Sequence, residues 1–136
     1  MWAERNERCL VPDSQQPTVI LAGSCSVATR RQIEAYKAAR LPVMALDVNA
    51  AADSDSSFHA VVAQAATMCR ESRAGVALIA SGADPGIVAA TVARLGEAKA
   101  AAMTESLFAA IAKQLADGGV NRFVVAGGET SGAVIN

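Results

Sequence analysis

The sequence predicts an α/β domain of three layers, α/β/α, built around a mostly parallel sheet with strands alternating with helices. Two observations carry this prediction. Short apolar runs that stop at glycine or a polar turn alternate with longer segments of helical period. Apolar residues make up 52% of the chain but aromatics only 4%, so the core must come from Ala, Val, Leu and Ile, as in parallel strands buried between helices. A length of 136 residues suits one domain and is too short for two. Residues 1–17 are expected to be a polar lead-in and 18–136 the domain, truncated at its C-terminus.

The run Thr18-Val-Ile-Leu-Ala22 reads as the first strand, stopped by Gly23. A turn over Gly23-Ser24-Cys25-Ser26 leads into a helix over 27–40, with Val27, Ile33, Tyr36 and Ala39 at near-helical spacing. Leu41 to Leu46 repeats the strand signal and ends at Asp47, and 49–57 reads as a polar connection. A helix over 58–73 then places Phe58, Val61, Val62, Ala65 and Met68 on its buried side.

Gly75 to Ala80 is the third expected strand, followed by a turn in which Pro85 suits a first helical position. A helix over 87–95 ends at Gly96. A longer one, 97–116, shows Met103, Leu107, Ile111 and Leu115 on one face and stops at Gly118-Gly119. Arg122 to Ala126 is the fourth strand. Parallel strands gather their C-terminal loops on one edge, so the turns after Ala22, Leu46, Ala80 and Ala126 are where chemistry is expected.

Charge excludes several functions. The chain carries 12 basic and 13 acidic residues, net −1, which offers no broad attraction to nucleic acid or an anionic membrane. Trp2 and Tyr36 form no aromatic platform for bases. Cys9, Cys25 and Cys69 lack CxxC spacing, and His59 is the only histidine, so no zinc site is expected. No run approaches the roughly 18 apolar residues of a membrane helix, and the N-terminus lacks a secretory or transit pattern. A soluble, cytoplasmic protein with reduced thiols is the expectation.

The turn after the last strand, Gly127-Gly128-Glu129-Thr130-Ser131-Gly132, is the first candidate site. Glycines let backbone approach a ligand, hydroxyls add donors, and the following helix start aims free N–H groups outward, which together suit a phosphate. The same pattern also suits an ordinary strand-to-helix turn capped by Thr130 or Ser131. It is neither a P-loop nor a GxGxxG motif. Ser24 and Ser26 stand in the equivalent place after the first strand, where Ser26 or Thr29 could equally cap a helix.

Three further patterns compete. Cys25 to Arg31 satisfies C-x5-R, the spacing of a cysteine-dependent phosphatase, but the intervening residues include no glycine and two β-branched side chains. Asp47 lies about 24 residues after Gly23, near where a dinucleotide fold holds a ribose hydroxyl, although a turn cap is the commoner role for such an acid. Asp84 before Pro85 reads as turn chemistry. His59 reads as structural or exposed, with no triad or metal spacing around it.

Gly23-Ser-Cys-Ser26 with Thr29 and Gln32-Ile33, Leu78-Ile-Ala-Ser81 with Asp84-Pro85, and the block Phe123-Val-Val-Ala-Gly-Gly-Glu-Thr-Ser-Gly-Ala-Val134 together resemble the four-carbon acid sugar kinases. The order is the same from about Thr18 to the last residue, and the match looks like their C-terminal, nucleotide-binding domain. The resemblance implies ATP with Mg2+ as the phosphate donor and a threonate- or erythronate-like acid as the acceptor. It also implies that Ser24 and the block Gly127 to Ser131 contact the nucleotide, while a separate N-terminal domain holds the acid. No residue here is assignable as the catalytic base. The segment by itself is expected to be inactive, and self-association through an uncovered edge or helix face is an expectation. A non-catalytic nucleotide- or dinucleotide-binding module is the alternative.

Overall fold

The computed structural model describes residues 18–23, 27–72, 75–82 and 84–126. Along the chain these form β1 (Thr18–Ala22), α1 (Val27–Ala38), β2 (Val43–Ala45), α2 (Val48–Ala51) and α3 (Asp55–Glu71). They continue with β3 (Val76–Ala80), α4 (Pro85–Leu95), α5 (Glu97–Asp117) and β4 (Arg122–Ala126). The described strands make one sheet in the order β2-β3-β1-β4, with every pair parallel. The expected α/β class is therefore the observed one.

Alternation along the strands divides the core in two. Val19 and Leu21 of β1 with Ala77 and Ile79 of β3 face α3 and α5, where Val62, Ala65, Leu107, Phe108 and Ile111 complete the larger cluster. Ala22, Leu78 and Ala80 face the other way and pack with Ile33 of α1, with Tyr36 and Ile20 at its margin. Complete burial of side chains such as Leu107, Phe108 and Ile111 contributes about 1.5–3 kcal/mol each.

Several expected boundaries move. The second strand is confined to Val43–Ala45, since Pro42 has no N–H to donate and Leu46 is already leaving the sheet. The connection expected over 49–57 contains a helical turn, α2, capped by Asp47, whose carboxylate accepts from the Ala50 N–H at 2.9 Å. Helix α3 begins earlier than its apolar pattern, at Asp55, because Ser54 caps it through the Ser57 N–H at 3.1 Å. Val27, which opens the near-helical run read from the sequence, is the first residue of α1 and is 65% exposed. Asp84 caps α4 by accepting from Gly86 and Ile87, with Pro85 at the first helical position.

Candidate functional site

The register brings four alanines into one row at the C-terminal edge: Ala45 pairs with Ala80, Ala80 with Ala22, and Ala22 with Ala126. Just beyond the row, each departing strand donates to its neighbour. Leu46 N–H reaches the Ala80 carbonyl at 2.9 Å, Ser81 N–H the Ala22 carbonyl at 3.0 Å, and Gly23 N–H the Ala126 carbonyl at 2.9 Å. The ends of β1 and β4 are therefore immediate neighbours. Ser24 follows the first and Gly127 the second, so the two candidate loops spring from adjacent points. Ser24, Ser26, Gly127, Gly128, Glu129, Thr130 and Ser131 themselves lie outside the described residues, as does Cys25.

At this edge the chain also splits. After β1 it turns to α1 on one face of the sheet, and after β3 it turns to α4, which packs with α2 and α5 on the opposite face. Adjacent parallel strands whose connections leave in opposite directions open a crevice between them, the usual ligand position in open sheets. A cleft of about 260 Å³ occupies this place, with Gly23 and Ser81 at its sheet end and α4 and α5 as its walls. Ile87, Val88 and Val92 line one wall, and Ala100, Ala101 and Glu105 the other. Its two threonine hydroxyls are engaged by their own helices, Thr91 donating to the Ile87 carbonyl at 2.6 Å and Thr104 to the Ala100 carbonyl at 2.8 Å.

The competing patterns fare differently. Residues 27–31 are helical and Arg31 is exposed, so the C-x5-R stretch is not the loop of inward-turned amides that a thiolate phosphatase needs. Asp47 and Asp84 both act as helix caps, in keeping with the simpler reading of each. His59 is exposed and meets Phe58 edge to face, with ring centroids 5.7 Å apart. Thr29 is buried within α1. The α4–α5 cleft was absent from the sequence reading. Its one textual trace is the pair Ala100-Ala101 between Glu97 and Glu105, where small residues interrupt an otherwise charged helix face.

Among the described residues, no group of three His, Cys, Asp or Glu could hold a metal, and no helix is long and apolar enough to cross a membrane.

Comparison with known proteins agrees with this fold. Residues 19–136 match the family model described as the nucleotide-binding C-terminal domain. The chain is 44% identical over 117 residues to a 3-oxo-tetronate kinase of Pseudomonas fluorescens, covering 86% of this chain and 26% of the relative. It is 40% identical over 133 residues to a 3-oxo-tetronate kinase of Burkholderia multivorans, covering 98% of this chain and 30% of that protein. A crystal structure from Salmonella typhimurium LT2 superposes with a TM-score of 0.77 at 33% identity, over 88% of this chain and 29% of the other. One from Haemophilus influenzae gives 0.71 at 31%, with the same coverage. The chain thus spans less than a third of the length of these relatives. On the strength of the matched span and the ordered strand-end segments, the chain belongs to the nucleotide-binding C-terminal domain family of the four-carbon acid sugar kinases.

Proposed function

We propose that this chain is the ATP-binding domain of a cytoplasmic kinase that phosphorylates a four-carbon sugar acid of the 3-oxo-tetronate, threonate or erythronate kind. The observation that carries the reading is the bond from Gly23 N–H to the Ala126 carbonyl, which sets the starts of the serine loop and the glycine loop side by side. Phosphoryl transfer needs positioning and charge neutralisation more than covalent chemistry, and in this reading the loops that spring from the paired strand ends provide the first. Ser24, Ser26 and the Gly127 to Ser131 turn hold the phosphates in this reading. Mg2+ would supply charge neutralisation on the triphosphate, and since such ions are usually held by one or two carboxylates together with the substrate phosphates, a dedicated protein cage would not be required.

In this reading the acid is held by a domain outside the matched span, so the matched segment by itself binds nucleotide without transferring phosphate to threonate or erythronate. The test is calorimetric ATP binding by the chain and two variants. Gly128→Val puts a branched side chain where backbone must meet phosphate and should abolish measurable binding. Ser24→Ala removes one donor worth about 0.5–1.5 kcal/mol, so it should weaken ATP by about two- to tenfold. Equal ATP affinity in wild type and Gly128→Val defeats the assignment of the loop.

A further inference from the structure

The two faces of the sheet are unequally covered. Helices α2 to α5 lie on one side, whereas among the described residues only α1 lies on the other, mainly over β2 and β3. An apolar groove of about 270 Å³ remains between α1 and the paired strands β1 and β4. Ile20 and Val124 form its floor, Gln32, Ile33 and Tyr36 its α1 wall, and Ala126 its end at the edge of the sheet. Val124 is 51% exposed, one of two large apolar side chains so placed among the described residues. Ala126 is also the last described residue, so residue 127 leaves from the rim of the groove itself. Beyond the glycine block the sequence turns apolar again at Ala133, Val134 and Ile135, which lie outside the described residues.

We infer that this groove seats the chain's own residues Ala133, Val134 and Ile135, and that their docking anchors the far end of the glycine block. Reach allows it. Residues 127–132 span up to about 20 Å when extended, and Val124 lies only about 7 Å back along the strand from Ala126. Tethering favours this segment over a second copy, because a segment on a short linker meets the groove at an effective concentration on the order of millimolar. Charge disfavours the second copy as well. Helix α1 carries Arg30, Arg31 and Lys37 against Glu34 alone, so a symmetric pairing through its flank would set two basic helices together, whereas Ala133, Val134 and Ile135 are uncharged. The near end of the block is fixed by the bond from the Gly23 N–H to the Ala126 carbonyl. Docking fixes the other end, which on the phosphate-loop reading makes Val124 a positioning residue that holds the turn without touching the nucleotide.

The test uses the full chain. The photoreactive p-benzoylphenylalanine in place of Gln32, which is exposed at the groove wall, should on illumination link chiefly within the chain to residues 133–136. A principal link elsewhere in the chain or to a second copy, or none above that from the same probe at the exposed Lys113 of α5 on the opposite face, overturns the docking. Val124→Ala and the pair Val134→Ala/Ile135→Ala should be non-additive, with a coupling of about twofold or more in the unfolding equilibrium, and additive effects overturn it too. The arm that concerns nucleotide rests on the function proposed above. Val124→Asp should weaken ATP by about fivefold or more with the circular dichroism unchanged, and Val124→Ile should stay within about twofold of wild type. Unchanged ATP affinity in Val124→Asp overturns the positioning role. If the wild-type chain binds no ATP, the phosphate reading fails, while the cross-link and the double-mutant cycle still decide the docking.

Discussion

Replacing Arg94 should loosen the wall of the cleft by a predictable amount. Its guanidinium joins the end of α4 to the segment around α2: Nη1 donates to the Asn49 carbonyl and to Asn49 Oδ1, both at 3.0 Å, and Nη2 pairs with Asp53 Oδ1 at 2.6 Å. The side chains are 43% and 58% exposed, so solvent screens the pair and it contributes about 0.2–1 kcal/mol. The two bonds to Asn49 are also open to water and add about 0.5 kcal/mol each. Arg94→Ala should therefore cost about 1–2 kcal/mol and Asp53→Asn only about 0.5 kcal/mol. Arg94→Lys should fall between, keeping the charge and losing the planar fork. Urea denaturation followed by circular dichroism, with the Arg94→Ala/Asp53→Asn double mutant beside the two single variants, isolates the pairwise part. Moving to 1 M salt, where the screening length is about 3 Å, should remove most of the Asp53 share and spare the Asn49 share. A coupling energy above about 2 kcal/mol, or one insensitive to salt, would show a desolvated pair and refute the reasoning.

Two further outcomes follow from single residues. Burial pushes the Cys69 thiol up to about 11 from 9.0, so iodoacetamide at pH 8 should leave it unmodified until the chain unfolds. Because the folded value lies above the unfolded one, this stabilisation is complete below pH 9 and is lost as pH rises from 9 to 11, on the order of 2 kcal/mol in all. Wild type should therefore lose stability faster than Cys69→Ala between pH 8.5 and 10.5, as read by denaturation, and parallel slopes would contradict the burial argument. Gly96 joins α4 to α5 at φ 82° and ψ 161°, a conformation nearly closed to other residues, although a Cβ there would meet nothing within 4 Å. Gly96→Ala should thus cost about 1–3 kcal/mol through backbone strain alone, whereas Gly118→Ala, at φ −83°, should be close to neutral. Equal costs at the two positions would sink the distinction.

The strands were legible because each apolar run is bounded by its own stop signal. Arg122–Ala126 is found where Gly119 and Gly127 bracket it, and β1 where Gly23 ends it. Helix α5 was legible from one face, since Leu107, Ile111 and Leu115 recur every fourth residue and all three are buried. Helix α2 was missed because four residues, Val48–Ala51, carry no period at all and depend on the Asp47 cap. The strand order was likewise beyond reach, as local pattern says that strands alternate with helices but not which strands become neighbours. Consequently the sequence offered two loops on one edge, and only the register makes their starting points adjacent. The cleft was hidden for a related reason: it is made by the separation of α4 from α5, a property of packing that the alanines permit but do not announce.

The flush row of alanines also fixes where the molecule tolerates a change in length. Successive residues in a strand advance about 3.3 Å and point to opposite faces, so one residue added within β1 would displace Gly23 along its neighbours and reverse every side chain between the insertion and the turn. Strands that finish level leave no slack to absorb such a step. At the opposite edge the turns at Arg40–Pro42 and Gly118–Asn121 enter the sheet far from the row, and extra residues there leave the registration of Ala45, Ala80, Ala22 and Ala126 intact. Loops lengthened at that end, for a tag or a reporter, alter chain entropy by only about 0.6 kcal/mol per doubling, whereas a single insertion within a strand re-aims the whole edge.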